Sequence, residues 1–366
     1  MPRWNFRLAF SPLILLCVII AGCKDQDDAT DNIDQPPALI APDALRARID
    51  DAIKYTLNQR LMNTRDQAAW QIVHGLEAFG RDLKIEADGE TVGALDYLFQ
   101  GNPLKGWLLR PGDKFPDGST GIIAVLEPGS KTGEGHPDQW LGYLSQCGVQ
   151  LDDPLVVGGT THHVRDLLNQ AKWDIYDGME ASWTLMAATT FLPLDEKWKA
   201  KDGQEWSIER IVKMEAAQPL GSGGCYGSHR LYALSLAVNR CLKETGKRPD
   251  QLNGAWLAAQ ERITLAIERV KEYKLPDGTL STAFFTRPVY ISDIGSRLYA
   301  AGHTLEFLDV ALSRDELADD WMVQVVNRLC DLLDQTRDMN PECGMLYHAS
   351  HGLMLYRNAR WGAPVK

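Results

Sequence analysis

Several side chains that could transfer protons or bind a metal stand at the beginnings of apolar segments of this sequence. The stretch GGCYGSHR places Cys225, His229 and Arg230 directly before a run of apolar residues. Neutral imidazoles act as bases and as metal ligands, and cysteine thiolates bind zinc. A single histidine in such a place often only bonds a loop carbonyl, so the repetition of the pattern is what points to a site.

The same placement recurs along the chain. His136 precedes one apolar segment, His303 begins another, and His348 and His351 begin the last; His74 lies a little deeper in the first. The start of a helix carries a partial positive charge, which disfavours protonation of an imidazole. We therefore expect a group of neutral histidines, suited to binding an anion or a metal or to acting as bases.

Two acids stand in the stretch WDIYDGMEASW. Asp177 and Glu180 are three residues apart, on one face if the helix has already begun. A carboxylic acid beside a carboxylate can divide general-acid and general-base roles, as glycosidases require. The predicted catalytic group is Glu180, Asp177, His229 and His303; the alternative is that the acids only complement the helix dipole.

Aromatic and polar residues near the same segments form a predicted substrate-binding set. Aromatic faces stack on the CH faces of sugar rings, and they would equally stabilise a carbocation or simply fill a core. Arg230 could clamp a substrate carboxylate, or form a structural ion pair with an acid of a neighbouring helix. The set is His136, Asp138, Trp140, Trp173, Tyr176, Trp183, Tyr226, Arg230, Glu306, His348 and His351.

Cysteine and histidine together raise the question of a metal. Zinc is the possible cofactor, and the alternative is that the cysteines are ordinary buried thiols. The candidate ligands are Cys225, His229, Cys343, His348 and His351. Sequence motifs for nucleotide, dinucleotide or zinc-protease sites are absent, so the common cofactor classes have no support.

The elements that position these residues are predicted from hydrophobic periodicity. Apolar residues recur at three- and four-residue spacing, and the segments alternate between two kinds. The charged, amphipathic segments are 43–60, 91–100, 161–172, 206–218, 254–273 and 314–336. The segments that are apolar nearly all round, and so predicted to be buried, are 70–80, 138–148, 179–192, 228–238, 302–312 and 347–356.

Six exposed helices alternating with six buried ones predict an all-α fold, an (α/α)6 toroid over residues 43–366. Pro- and Gly-rich sequence between two β-rich runs predicts a small β-hairpin insertion near 106–130. In a toroid the inner helices run in parallel, so their first turns would meet at one mouth of the barrel. An irregular helical solenoid is the alternative.

On this periodicity, and on the turn YKLPDGTLSTAFF at 273–285, the chain resembles the terpenoid cyclase and protein prenyltransferase type of toroid, a barrel that many glycan-active enzymes also use. It also resembles a group of bacterial lipoproteins, a likeness that implies no reaction. Zinc sites in prenyltransferases and lanthionine cyclases draw cysteine and histidine from inner-helix ends. Neither ligand pattern is present here residue for residue.

The N-terminal residues predict the cellular location of the protein. Arg3 and Arg7 precede a short apolar run that ends in IAGC, which resembles a bacterial lipoprotein signal. We expect a signal peptide at 1–22, lipidation of Cys23, an acidic, proline-containing tether at 23–42, and attachment to a bacterial membrane of the cell envelope on the periplasmic side. An uncleaved signal anchor is the alternative.

Charge and cysteine content exclude other classes. The 366-residue chain has a net charge of −11, which disfavours nucleic acid as a partner. Five cysteines follow Cys23, an odd number without regular spacing, which is not a disulfide framework.

Three functions remain open from the sequence. The first is an anchored enzyme, a glycan-active lyase, hydrolase or epimerase. The second is a non-catalytic scaffold that binds a glycan or a peptide. The third is an isoprenoid cyclase or transferase, which would need an acid motif at the pocket, whereas the DQDD at 25–28 lies in the tether.

Overall fold

Helices dominate this protein. The computed structural model describes residues 39–362, and that part of the chain contains twelve α-helices. They are α1 (Pro42–Gln59), α2 (Ala69–Phe79), α3 (Ala94–Phe99), α4 (Gln139–Gln146), α5 (Val164–Asp174), α6 (Ser182–Phe191), α7 (Ile208–Ala216), α8 (Ser228–Thr245), α9 (Gly254–Tyr273), α10 (Ile294–Ala311), α11 (Asp320–Gln335) and α12 (Cys343–Trp361).

Four small sheets stand between the helices. The expected hairpin is present as the antiparallel pair β4 and β5. The other sheets were not predicted from the sequence, and three of their hairpins lead directly into α3, α5 and α7. The strands are β1 (Met62–Asn63), β2 (Lys84–Ala87), β3 (Glu90–Gly93), β4 (Leu109–Lys114), β5 (Thr120–Ala124), β6 (Pro154–Val157), β7 (Thr160–His163), β8 (Lys197–Lys199) and β9 (Glu205–Ser207).

Turn chemistry explains one of these hairpins. Between β6 and β7 the chain turns through Gly158 and Gly159, which have φ of 57° and 80°. A two-residue turn with two positive φ angles matches the twist of the flanking strands, and glycine adopts it without a steric penalty. Valine before the turn and threonine after it favour the extended backbone.

The two expected kinds of helix are both present. In α6 the eight residues from Ser182 to Thr189 are all buried, so this helix has no face toward solvent. In α9 the buried residues form one narrow stripe at three- and four-residue spacing, from Ala255 through Ala259 and Ile263 to Val270. The remaining surface of α9 carries many charged side chains, such as Glu261, Glu268 and Lys271, as expected for an amphipathic helix with one face toward solvent.

The even-numbered helices pack against one another in chain order. Helix α2 contacts α4, α4 contacts α6, α6 contacts α8, α8 contacts α10, α10 contacts α12, and α12 returns to contact α2. Odd-numbered helices cover them: α7 and α9 pack on α8, and α11 and α1 pack on α12.

Glycines allow two of these helix pairs to approach closely. A Cβ atom at Gly302 in α10 would lie 2.5 Å from the backbone nitrogen of Ala349 in α12. A Cβ atom at Gly142 in α4 would lie 2.7 Å from the ring of Trp183 in α6. The helix backbones therefore come near enough for side chains from several helices to meet.

Ion pairs join the first described helix to the last two. Arg48 of α1 pairs with Asp331 at 2.8 Å and with Asp334 at 3.0 Å in α11. Arg357 of α12 donates from Nε to Asp50 of α1 at 2.8 Å. These contacts hold the two ends of the described chain together.

Two helices begin earlier than the sequence indicated. The fifth buried helix was expected to start at 302 and the sixth at 347, but α10 begins at Ile294 and α12 at Cys343. Asp293 caps α10 by accepting from the Ser296 amide at 2.7 Å, and Glu342 caps α12 by accepting from the Met345 amide at 3.3 Å. His303 and His351 therefore lie in the third turns of their helices rather than the first.

The expectations for the N-terminus fall mostly outside the described residues. The signal peptide, Cys23 and all of the tether before Leu39 lie there. Across 39–362, no helix combines the length and the apolar character needed to cross a membrane. All five cysteines in this range are free thiols, in agreement with the absence of a disulfide framework.

Candidate functional site

A cavity of about 610 Å³ opens between the N-terminal halves of five buried helices. We call it the histidine cavity. Helices α2, α4, α8, α10 and α12 all contribute to its wall, and so do the loops at 129–136 and 224–226. Its volume falls within the usual range for small-molecule sites, about 300–1,000 Å³.

Four histidines from four helices meet at this cavity. His74, His229, His303 and His348, which we call the histidine cluster, all line it. The ring centroids of His303 and His348 are 3.7 Å apart, those of His229 and His303 are 5.0 Å apart, and those of His74 and His348 are 5.0 Å apart. Each residue is at most 4% exposed.

Burial keeps these imidazoles neutral. It lowers the pKa of His74 to about 3, and it lowers the pKa values of His229, His303 and His348 well below the usual value of 6.5. Mutual proximity of the rings is a further cause. The neutral state was expected from helix starts, but the third-turn position of His303 assigns it to desolvation instead.

Hydrogen bonds fix which ring nitrogen carries the proton. Nδ1 of His74 donates to the Trp70 carbonyl at 2.5 Å, and Nδ1 of His303 donates to the Tyr299 carbonyl at 2.8 Å. A carbonyl only accepts, so Nε2 of each neutral ring bears the lone pair. The Tyr143 hydroxyl donates to Nε2 of His74 at 3.1 Å, whereas Nε2 of His303 is buried and lacks a hydrogen-bond partner in residues 39–362.

A carboxylate pair, Glu77 and Glu306, lies behind the cluster. Glu306 accepts from Nδ1 of His348 at 3.0 Å and from Nδ1 of His351 at 2.8 Å. Glu77 Oε2 lies 3.3 Å from Nδ1 of His348. Burial and the nearby Glu306 raise the pKa of Glu77 well above its usual value and so favour its protonated form.

The glycine-rich loop before α8 brings Cys225 to the cavity. Cys225 and Tyr226 adopt left-handed backbone angles, with φ of 50° and 55°. One ligand atom from each of Cys225, His229 and His303 can be chosen so that all three lie within 4.8 Å of one another, a grouping that could hold a metal ion. A second such grouping consists of Glu77, Glu306 and His351.

At the edge of the cavity His136 pairs with Glu180. Nδ1 of His136 lies 3.0 Å from Glu180 Oε2, and Glu180 Oε1 accepts from the Gly224 amide at 2.9 Å. Burial opposes ionisation, but the bonds from His136 and Gly224 outweigh it and lower the pKa of the Glu180 carboxyl. Glu180 is therefore ionised and holds the proton of His136 on Nδ1.

Asp177 does not share a site with Glu180. Helix α6 begins only at Ser182, so the two acids are not on one helical face. The Asp177 side chain is 62% exposed and pairs with Arg210 at 2.8 Å. The expected acid pair is thus replaced by the pair of Glu180 and His136.

Arg230 is held in a buried ion pair. Its Nε donates to Glu215 at 2.7 Å, the structural alternative left open by the sequence. Asp138 likewise bonds within the protein, accepting from the Thr184 hydroxyl at 2.5 Å, and burial raises its pKa to about 6.

The predicted aromatic residues divide between the core, the surface and the cavity. Trp140 and Trp183 are fully buried in the core, and Tyr176 is 57% exposed at the surface. Trp173 packs on Phe115 of the β4–β5 hairpin, away from the cavity. Tyr226 lines the cavity and stacks on Phe284 at 4.9 Å.

Some residues of the site were not singled out from the sequence. Trp70 and Tyr299 line the cavity, and Glu77 lies behind the histidine cluster. His74, which the sequence grouped with the other histidines, and Tyr143 line the cavity as well. The acid in the buried segment WQIVHGLEAFG was an available signal for Glu77, because an unpaired acid does not belong in a helix without a polar face. Cys343 is half-buried at the start of α12 and belongs to neither grouping that could hold a metal.

Comparisons of the chain with protein-family models, with curated proteins and with solved structures each found no match.

Proposed function

We propose that this protein is a cell-envelope enzyme that acts on a carbohydrate in the histidine cavity by proton transfer, as a lyase, hydrolase or epimerase. The observation that carries the proposal is the pairing of His136 with Glu180 at the edge of a cavity whose walls are aromatic and whose buried histidines are neutral. Reactions of this group all need a positioned proton donor or acceptor.

The arrangement of helices supports a toroid. Contacts between successive even-numbered helices, together with the contact of α12 with α2, are those of an inner ring of six. The odd-numbered helices would then form the outer ring. Such an arrangement would be the (α/α)6 architecture indicated by the sequence, and it would gather residues from distant segments at one mouth, as in the toroids that the chain resembles.

The wall of the cavity suits a ring-shaped, hydroxylated ligand. Trp70, Tyr143, Tyr226 and Tyr299 supply aromatic surface, and Gln139, Ser296 and Glu342 supply polar groups. A sugar offers CH faces to the rings and hydroxyls to the polar groups. The net charge of −11 remains unfavourable to nucleic acid.

His136 is the residue proposed to exchange a proton with the substrate. With Nδ1 bonded to Glu180, its Nε2 is the free acceptor, and Glu180 would stabilise the imidazolium that forms. Glu180 is thus a positioning residue. His229 and His303, expected to share proton transfer, are more deeply buried, and a zinc ion bound near them would polarise a substrate oxygen.

Location at the membrane is part of the proposal. A lipid on Cys23 would tether the protein to a bacterial membrane on the periplasmic side, where envelope glycans are present.

The test is turnover of envelope glycans by the full chain in detergent, followed by mass spectrometry of the products. His136→Asn should lower the rate by about 100-fold or more and Glu180→Gln by about tenfold or more, with unchanged melting temperatures. Asp177→Asn is the matched control and should retain full activity, because its carboxylate pairs with Arg210.

Two results would overturn the proposal. Glycan binding without any product after long incubation would make the protein a non-catalytic binding lipoprotein. Loss of folding in His136→Asn and Glu180→Gln would show that this pair only holds the loop at 224–226 in place.

A further inference from the structure

We infer that Cys225, His229 and His303 form a three-ligand site for a zinc ion, with the fourth coordination position open to the histidine cavity. All three residues line that cavity, and their ligand atoms lie within 4.8 Å of one another. Zinc bonds of about 2.0–2.3 Å place tetrahedral ligand atoms about 3.5 Å apart. Small side-chain adjustments therefore complete the site.

The environment of His303 Nε2 points to a ligand. Nδ1 of this ring is committed to the Tyr299 carbonyl, so Nε2 bears a lone pair. It is buried without a hydrogen-bond partner within 39–362, and the residue is only 1% exposed. A buried acceptor without a partner is costly, and a metal ion in this position would satisfy it.

The hydrogen bond on Nδ1 is also the usual environment of a metal-binding histidine. Such residues donate their second ring N–H to a carbonyl or a carboxylate, which fixes the ring and its tautomer. His303 does so through Tyr299, in the same helix. His348, whose ring is 3.7 Å from that of His303, does so through Glu306.

The loop holds Cys225 in a left-handed backbone conformation that residues other than glycine seldom adopt. Two consecutive non-glycine residues, Cys225 and Tyr226, have positive φ, and Gly223 and Gly227 on either side do too. This backbone brings the thiol beside His229, four residues on in the first turn of α8. The stretch GGCYGSHR therefore delivers two ligands from one short segment.

The chemistry of the three donor groups indicates which metal the site would bind. One thiolate and two imidazoles favour zinc over magnesium or calcium, which prefer oxygen ligands. Three protein ligands with one open position are typical of catalytic zinc, whereas structural zinc sites use four. The open position would take an oxygen atom from water or from the substrate.

In the second grouping, Glu77, Glu306 and His351, two members are already bonded to each other, because Glu306 accepts from Nδ1 of His351; Glu77 Oε2 lacks a hydrogen-bond partner within 39–362. Glu306 accepts from His348 and from His351, at 3.0 Å and 2.8 Å, and so its oxygens have partners without a metal. We therefore expect one zinc ion per chain. Cys343 and His351, which the sequence offered as ligands, would not contribute.

The experiment measures metal binding, which needs no substrate. The full chain in detergent is stripped with a chelator and titrated with Zn²⁺, and separately with Co²⁺, whose absorption reports thiolate coordination. We expect one ion per chain and a cobalt–thiolate band. Cys225→Ser should lose that band and weaken zinc binding by more than about 100-fold, since even outer-shell changes cost 10- to 100-fold.

Controls separate the site from general effects. Cys343→Ser, at the other half-buried cysteine near the cavity, should bind like the wild type. His303→Gln is the second ligand variant and keeps the test valid if Cys225→Ser does not fold. Sub-stoichiometric zinc in the wild type, or equal binding by Cys225→Ser and the wild type, would overturn the inference.

The outcome is independent of the proposed function. Stoichiometric zinc in a protein that turns over no glycan would leave the metal site standing and remove the carbohydrate enzyme. Glycan turnover that persists after complete removal of zinc, with no rebinding in the titration, would remove the metal site and leave the carbohydrate enzyme standing.

Discussion

Arg230 and Glu215 form an ion pair almost closed to solvent, with 2.7 Å between Nε and Oε2 and side-chain exposures of 9% and 1%. Glu215 also accepts from the amide of Ala181 and the hydroxyl of Ser182, each at 3.0 Å. Arg230 in turn donates to the Ser222 hydroxyl at 2.9 Å. The pair thus joins α7, α8 and the start of α6 to the loop that carries Cys225.

Breaking this pair should destabilise the protein. Arg230→Met leaves a buried carboxylate without its cation, and we expect the free energy of unfolding to fall by about 3–5 kcal/mol in chemical denaturation. Lys197→Met, which breaks the exposed pair with Glu205, should change it by less than about 1 kcal/mol. A stable Arg230→Met protein that has lost ligand binding would instead favour the substrate-clamp role.

The two buried carboxyls should respond differently to amidation. Burial favours the neutral form of Glu77, and Glu77→Gln keeps a neutral group there, so stability should change little. Glu306→Gln weakens the acceptor for two imidazole N–H groups, and we expect a loss of about 2–4 kcal/mol. Denaturation at pH 7 of both variants is the measurement. Equal losses would show that the two carboxyls have equivalent roles.

Glu134 should make stability depend on pH. It accepts from the Trp140 amide at 2.8 Å, and burial raises its pKa from 4.5 to about 8. Folding favours the protonated form, so this contribution is complete below pH 4.5 and is lost as the pH rises to 8. The melting temperature of Glu134→Gln should be about 5 °C higher than that of the wild type at pH 8 and nearly equal to it at pH 4.5.

A control for this effect is Glu316, whose carboxyl pKa is lowered by bonds from Ser313. Its contribution is present above its unfolded pKa and is lost on acidification, so Glu316→Gln should not raise the melting temperature at pH 8. Parallel melting curves for Glu134→Gln and the wild type across pH 4.5–8 would contradict the prediction.

The close approach of α10 and α12 at Gly302 should tolerate no added methyl group. Gly302→Ala places a Cβ atom 2.5 Å from the Ala349 backbone, which cannot move without displacing α12. We expect a loss of about 1–3 kcal/mol or more, and loss of zinc binding as α10 shifts and moves His303 away from Cys225 and His229. Gly352→Ala, which meets only the Leu305 side chain at 3.2 Å, is the matched control and should retain the metal.

The helical character and the alternation of helices could be predicted, because a buried helix such as α6 has no polar face. The short sheets could not, since strands of three or four residues produce too little periodicity to separate from the helix that follows. The starts of α10 and α12 were misplaced because IGSRLYAA and CGML, with their glycines and polar residues, do not continue the apolar pattern.

The pairing of residues that are distant in sequence could not be predicted from the sequence. Glu180 was identified as a candidate, but its partner was expected to be Asp177, which requires a helix that had already begun. Gly178, with φ of 93°, turns the chain between them. The actual partner, His136, is 44 residues away in sequence. The convergence of His229, His303 and His348 depended on the packing of whole helices, which periodicity indicates only in outline.

The histidine cluster takes one member from α2 and another from α12, the second and the last helices of the described chain. A nascent polypeptide therefore lacks the assembled cluster until translation has passed residue 348. Truncation before α12 would remove His348 and His351 and leave Glu306 without both of its donors, whatever the remaining helices do. Any chemistry that needs the whole cluster thus begins only after α12 has been synthesised.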